Sequence, residues 1–401
     1  MTPPKPPVQA RLPFTQQHPL APSADLLALQ ERGAVHRVST LTGDEGWLVT
    51  GYEELRGLYS GELLSRAHPC PARAARATAS AVFGGRPQGD PDTDDAGRSW
   101  FRDVLLGIIG PVPLRALRPW MEQTVTRLLD ALAAAPQPAD FVALVSVPLP
   151  ALVVCKLLGV PEEEFEHCRA LSADLASAHD EQRSAVALAQ LTEHMTGLIG
   201  DGRIAPDGLL AQLSGPPHHL SPTLLGPVGA ALMFSGNHTT SVAIGFAMLQ
   251  LLQHPDQLKA LRADPAKLPG AIEECLRLGN AGVNSGSNGT ATYARADFEL
   301  DGARIEAGDL VLLDTIAANL DARAWDEPYR FDVGRTPNHH VTFGHGRRFC
   351  PGAGLARLEL QTLFSQLLAR FPDLRLAAPL EELGTHRDQI TGGLVSLPVA
   401  W

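Results

Sequence analysis

Chemistry is concentrated in one stretch, Phe343-Gly-His-Gly-Arg-Arg-Phe-Cys350-Pro-Gly-Ala-Gly-Leu-Ala-Arg-Leu-Glu359. Cys350 lies in a glycine-rich loop, directly before a Leu/Ala/Arg/Glu pattern that reads as helix. At a helix N-terminus, the dipole and loop N–H groups lower a thiol's pKa. Arg347 and Arg348 add positive charge beside it. Gly344 and Gly346 permit backbone conformations and close approaches that a side chain blocks. Gly352 lets the chain leave the cysteine without crowding a flat ligand. A low-pKa thiolate of this kind suits a soft metal. A nucleophilic or redox cysteine is the competing chemistry, and a plain buried cysteine is the inert alternative.

Three other groupings carry reactive or charged side chains. Glu274-Cys-Leu-Arg277 places a carboxylate and a guanidinium three residues apart on one helix face, where the arginine can clasp the acid bidentately. The apolar helix that starts at Gly229 carries Gly236, His238, Thr239 and Thr240 in its middle. A glycine and hydroxyls are locally unfavourable there, and such conflicts mark functional sites. His238 adds an imidazole, which titrates near neutrality and can relay protons. In Arg98-Ser-Trp-Phe-Arg102, two cations stand one helical turn apart after the acidic lead-in Asp94-Asp95.

The pattern Phe-Gly-x-Gly-x-Arg-x-Cys-x-Gly-x-x-Leu-Ala-Arg-x-Glu, running from Phe343 to Glu359, resembles the haem-binding loop of the cytochrome P450 superfamily, bacterial soluble type. The resemblance covers essentially the whole chain. It implies haem b (iron protoporphyrin IX) with Cys350 as the axial metal ligand and Phe343, Gly344 and Gly352 lining the cofactor loop. Arg98, Arg102 and Arg348 take the places of propionate partners. A further propionate arginine common in the family aligns with Thr292, with Arg295 three residues away. Glu274 and Arg277 match the family's structural lock, and Arg330, in Tyr-Arg-Phe331-Asp, takes its third place. Gly236 and Thr239 match the oxygen-binding helix, where the family has a bulge beside the glycine, and His238 is carried over with them as a catalytic candidate. At position 238 this chain departs from the family, which has an acid there. By resemblance, the pocket is lined by residues 60–96, by Leu232 and Ser235, by the segment after Arg277 with Asn284, Ser285 and Ser287, and by the turn at Gly392.

Helix dominates the elements that must hold these groups. Residues 24–33 and 52–59 read as short helices, and 98–269 as one helix after another, broken at prolines and Asp201-Gly202. A helix covers Glu274, and a long one runs over about 351–371. Residues 35–38, 47–50, 298–300 and 310–314 read as strands, and 389–399 as a closing hairpin through Gly392-Gly393. Residues 60–96 read as irregular, and the proline-rich residues 1–23 as an extended arm. The expected fold is mainly α with a minor β region built from both chain ends, as a single domain over 24–401.

At 401 residues with 44% hydrophobic content, the chain has ample core and is not disordered. A net charge of −11 argues against general nucleic-acid binding. The five cysteines lack CxxC and CxxCH spacing, which argues against zinc and covalently attached haem and fits a reducing cytoplasm. No signal peptide or membrane-length apolar run is read.

The resemblance implies a monooxygenase or oxidase of secondary metabolism that draws NAD(P)H electrons through ferredoxin reductase and ferredoxin. Arg347 and Arg357 are expected to face the acidic ferredoxin. The small, polar residues 284–290 point to a substrate with amides of its own, such as a cyclic dipeptide or another aromatic amide, either hydroxylated or coupled through C–C or C–N bonds. A peroxide-driven enzyme and a silent binding scaffold are the rival readings.

Overall fold

The structure is a computed structural model that describes residues 7–401 except 83, 86, 88 and 280–288, with side chains of 91–96 and 98 also left undescribed. Its main sheet joins strands from residues 10–65 to strands from residues 290–313. The strands are β1 (Ala10–Arg11), β2 (Val35–Ser39), β3 (Glu45–Val49), β4 (Leu64–Ser65), β5 (Ala139–Asp140), β6 (Thr290–Ala294), β7 (Phe298–Leu300), β8 (Ala303–Ile305), β9 (Leu310–Leu313), β10 (Arg375–Leu376) and β11 (Pro398–Ala400). Six of them form one sheet in the order β1-β2-β3-β9-β6-β4. β2 and β3 are antiparallel through a tight turn, and β3 takes β9 as a parallel partner, with Trp47 opposite Val311.

Two sequence expectations change at the chain ends. In the segment expected to be an extended arm, residues 10–14 are built into the fold. Ala10 and Arg11 pair with Val38 and Ser39, and Leu12 and Phe14 are buried beside them. Apolar side chains at 12 and 14 outweigh the flanking prolines, because burial against β2 removes them from water. The expected hairpin over 389–399 also differs. Gly392 (φ +63°) and Gly393 (φ +119°) do form a turn, but the opposite limb is Gly384–His386, with His386 N–H donating to Gly393 C=O at 2.9 Å. Residues 398–400 leave that turn to pair with β10 and β5.

The helices are α1 (Ala24–Gln30), α2 (Tyr52–Ser60), α3 (Pro91–Ile109), α4 (Pro111–Ala134), α5 (Pro148–Leu158), α6 (Phe165–Leu175), α7 (Glu181–Gly200), α8 (Leu209–Ser214), α9 (Pro222–Gln253), α10 (Pro255–Ala263), α11 (Leu268–Leu278), α12 (Thr315–Ala318) and α13 (Ala353–Arg370). α3 therefore begins inside the stretch expected to be irregular. Pro91 stands at its first position, where its fixed φ and missing N–H suit a helix start.

α9 is apolar nearly all round, as a buried helix must be. Its N-terminal half, with Leu225, Met233 and Phe234, packs into one core that includes α5, α6 and α7. Its C-terminal half, from Val242 to Leu251, packs into a second core with α4, α11 and α13. The polar stretch 235–241 lies at the seam between the two.

Candidate active site

Cys350 is half-buried between a one-turn 3-10 segment, Gly346–Arg348, and α13. Its N–H donates to the Phe343 carbonyl at 2.7 Å, which closes the loop on itself. Gly344 sits at φ +72°, and a Cβ there would come within 2.7 Å of the Arg348 carbonyl, so only glycine fits. A Cβ on Gly352 would instead stand 3.7 Å from the Cys350 sulfur, over the face the thiol presents. The expected low thiol pKa is not what the geometry produces. Burial raises it, and the N–H groups of Gly352 and Ala353 with the charges of Arg102 and Arg357 only partly offset that.

The cations around this loop are unequal. Arg102 donates from Nη1 to the Phe349 carbonyl at 2.8 Å, one residue before the cysteine. Arg348 donates to the Leu64 carbonyl at the edge of the sheet. The Arg98 side chain lies outside the described residues. Thr292 is buried, and its hydroxyl donates to the Val311 carbonyl at 2.7 Å, so it serves the sheet.

Behind the loop, Glu274 and Arg277 are both fully buried and bonded through two parallel contacts of 2.8 Å. Arg277 also donates to the carbonyls of Asn319, Pro328 and Arg330. The third side chain on Glu274 is Arg335, with Nε 3.1 Å from Oε1, and not Arg330. Arg330 contributes only its backbone, while its guanidinium turns outward to Glu327 at 2.6 Å. Asn338 Nδ2, at 3.0 Å, and the Asp332 N–H, at 3.1 Å, complete the shell. The carboxylate thus has a donor for each lone pair, which a buried ion pair needs to be tolerated.

On α9, Ala231 and Thr239 are exposed and Ser235 half-buried at four-residue spacing, so one face of a buried helix lines open space. Thr239 Oγ1 donates to the Ser235 carbonyl at 2.8 Å. Leu232 is half-buried beside this stripe. The helix is unbroken here and has no bulge at Gly236. A Cβ on Gly236 would meet Val154 at 2.7 Å, so this glycine admits close packing of α5.

His238 points elsewhere. Its ring stacks on Phe234, with centroids 5.0 Å apart. Its Nε2 is buried without a partner. Burial lowers its pKa to about 4, against a backbone hydrogen bond at Ser172 on α6, while the nearby His386 lowers it further. Imidazole here is neutral at any ordinary pH. Asn284, Ser285 and Ser287 lie outside the described residues, and Gly392 is buried at the C-terminal turn.

Sequence reading missed Arg335 and the role of Asn338, because nothing local separates Arg335 from Arg330. It also missed Glu273, which neighbours Glu274 and takes two hydrogen bonds from Arg357.

A half-buried thiol with a glycine beside it, flanked by Arg102 and Arg348, fits a haem held by one thiolate sulfur and two anionic propionates. Among the described residues, no group of three or more His, Cys, Asp or Glu forms a competing metal site. The family model of Cytochrome P450 matches residues 214–374. The chain is 36% identical to pentalenolactone synthase of Streptomyces exfoliatus, over 98% of this chain and 99% of that one.

Among solved structures, the substrate-free cytochrome P450 PimD, a polyene macrolide antibiotic pimaricin epoxidase, superposes with a TM-score of 0.87 at 34% identity, covering 98% of this chain and 99% of that one. The putative thioether synthase SgvP, from the tailoring of griseoviridin, gives 0.88 at 30% identity and covers 98% and 100%. The chain belongs to the cytochrome P450 family. It is an oxidoreductase, a haem-thiolate monooxygenase served by redox partner proteins. No helix among the described residues is long and apolar enough to cross a membrane.

Proposed function

We propose that the protein tailors a small secondary metabolite, using dioxygen and electrons passed from NAD(P)H through a ferredoxin reductase and a ferredoxin. The observation that carries this reading is Thr239, whose hydroxyl stands on the exposed stripe of α9 in the seam between the two cores. Bound haem with a thiolate ligand supplies the reductive activation of dioxygen. Cys350 would hold the iron, and Arg102, Arg348 and Arg98 the propionates. Thr239 would hold and orient the proton delivered on the dioxygen side, with the Ser235 carbonyl fixing its hydroxyl. His238 would exclude water from the α6–α9 contact and keep its neutral ring out of the proton path.

The relatives support a secondary-metabolite substrate, since their names refer to pentalenolactone, pimaricin and griseoviridin. Asn284, Ser285 and Ser287 support one with its own amides, a cyclic dipeptide or another aromatic amide, hydroxylated or coupled through a C–C or C–N bond. A spin-state titration of the ferric protein tests both points. The panel holds cyclic dipeptides, aromatic amino acids, a macrolide, a sesquiterpene acid and a fatty acid. A low- to high-spin shift confined to the cyclic dipeptides is the expected result. A shift with the macrolide or terpenoid alone overturns the amide assignment, and no thiolate-haem band at all overturns the function.

A further inference from the structure

We infer that Glu273, Arg357 and His340 form a positioning network that sets the charge behind Cys350, and with it the reduction equilibrium of the iron held there. This rests on the haem-thiolate reading above. Sequence alone assigns Arg357 to an outer docking face, but the structure turns it inward. Its Nε and Nη2 reach the two oxygens of Glu273 on α11 at 2.8 and 2.7 Å. Its guanidinium also lies over the Phe343 ring, 4.6 Å from the centroid. Phe343 is the residue whose carbonyl receives the Cys350 N–H.

His340 ties the same loop from the other side. It is nearly fully buried, and its Nδ1 accepts from the Thr342 N–H at 3.3 Å. That leaves Nε2 to carry the proton and donate to Glu273 Oε2 at 3.0 Å. Thr342 adds a second tie to α11, its hydroxyl donating to the Leu276 carbonyl at 2.9 Å. Residues 340–343 are therefore held at two levels of one helix.

Electrostatics gives the network its consequence. Among the described residues, Arg102 and Arg357 are cations whose charge reaches the Cys350 thiol. Glu273 stays ionised at working pH, its pKa held near 2 against burial by hydrogen bonds from Arg357 and His340. Arg357 therefore acts on the sulfur as a half-neutralised charge. Outer-shell groups of this kind tune a metal through its ligand. Adding an electron adds negative charge, so net positive charge behind the sulfur favours the reduced iron.

The test is the reduction potential of the haem-loaded protein by dye-coupled titration, with the ferrous–CO spectrum recorded alongside. Glu273→Gln keeps the shape and removes one negative charge. It is expected to favour reduction by about tenfold, about 59 mV for one electron. Arg357→Leu is expected to shift the equilibrium the opposite way by a similar factor and to add a CO form that has lost the thiolate ligand. Arg357→Lys restores at least half of that shift.

Potentials of Glu273→Gln and Arg357→Leu within about twofold of wild type in that equilibrium overturn the inference. So does a change confined to the KM for ferredoxin, which would assign Arg357 to docking. Absence of a thiolate-haem spectrum in the wild type defeats the functional reading itself. A normal wild-type spectrum with unmoved potentials defeats only this network.

Discussion

Thr239 and His238 are neighbours in sequence with opposite surroundings, one on the exposed stripe and one pressed between helices. Thr239→Ala removes the only side-chain donor on the Ser235 carbonyl that the structure shows. It is expected to divert NAD(P)H from product to peroxide, with product per NAD(P)H falling about a hundredfold, the low end for losing a proton-handling group. Peroxide assay during turnover measures this. His238→Phe is expected to leave the ratio within about twofold, since a ring stacked away from the open stripe takes up no additional proton at neutral pH.

The same histidine ties stability to acidity. Its pKa falls from an ordinary 6.5 to about 4 on folding, so between those values the unfolded chain binds the extra proton. Its contribution is intact above pH 6.5 and is lost as pH drops toward 4. The loss is on the order of 3 kcal/mol at most. Urea unfolding at pH 7 and pH 4.5 should show a smaller acid loss in His238→Phe than in wild type. His36 and His194, also lowered chiefly by burial, contribute in the same direction.

Element by element, the loop that carries Cys350 is secured by what lies behind it. α11 supplies Glu274 and Arg277 to the irregular stretch 319–338 and Glu273 to α13. Arg335→Leu strips a cation from a buried carboxylate and is expected to cost about 3 kcal/mol, as breaking buried pairs does. Arg330→Leu loses only an exposed, solvent-screened pair with Glu327 and should leave stability near that of the wild type. Chemical denaturation of the two variants distinguishes them. Equal losses would contradict the assignment of Arg335 to the lock.

α13 holds a second buried acid, Glu359, whose two oxygens lack a partner and whose pKa burial drives upward. As a group with a raised folded pKa, it destabilises the fold as pH rises above its unfolded value. Glu359→Gln should therefore flatten the loss of stability with rising pH, read from melting temperatures at pH 6 and pH 9.

Across the whole molecule, the sheet binds the N-terminal segment to the C-terminal half, since β3 lies against β9 and β1 against β2. Phe14 is buried beside Leu12 in the core of that sheet. Phe14→Ala is expected to destabilise by about 3 kcal/mol, the low end for an aromatic deletion. A thermal melt checks it, and an unchanged midpoint would show the segment to be a loose arm. α9 spans both cores, so its polar seam is held on two sides, and the pocket stripe is a property of the assembled fold.

What the sequence determined by itself is what local geometry governs. Gly344 is forced by a left-handed φ and a close backbone contact within the same loop, and Gly346 by a left-handed φ. Glu274 and Arg277 meet because three residues make nearly one helical turn. Most helices and four strands were legible through their periodicity, with errors at Pro91, at the N-terminal strand and at the C-terminal turn, and with β4, β5, β6, β8 and β10 unread.

Only the tertiary structure decided which residue answers across long stretches of chain. Arg335 rather than Arg330 reaches Glu274, Arg357 turns to Glu273, and His238 faces α6 instead of the open stripe. Those choices depend on which surfaces pack together. The charge state of Cys350 and His238 depends on how completely that packing excludes water, and neither quantity is written in the spacing of residues along the chain.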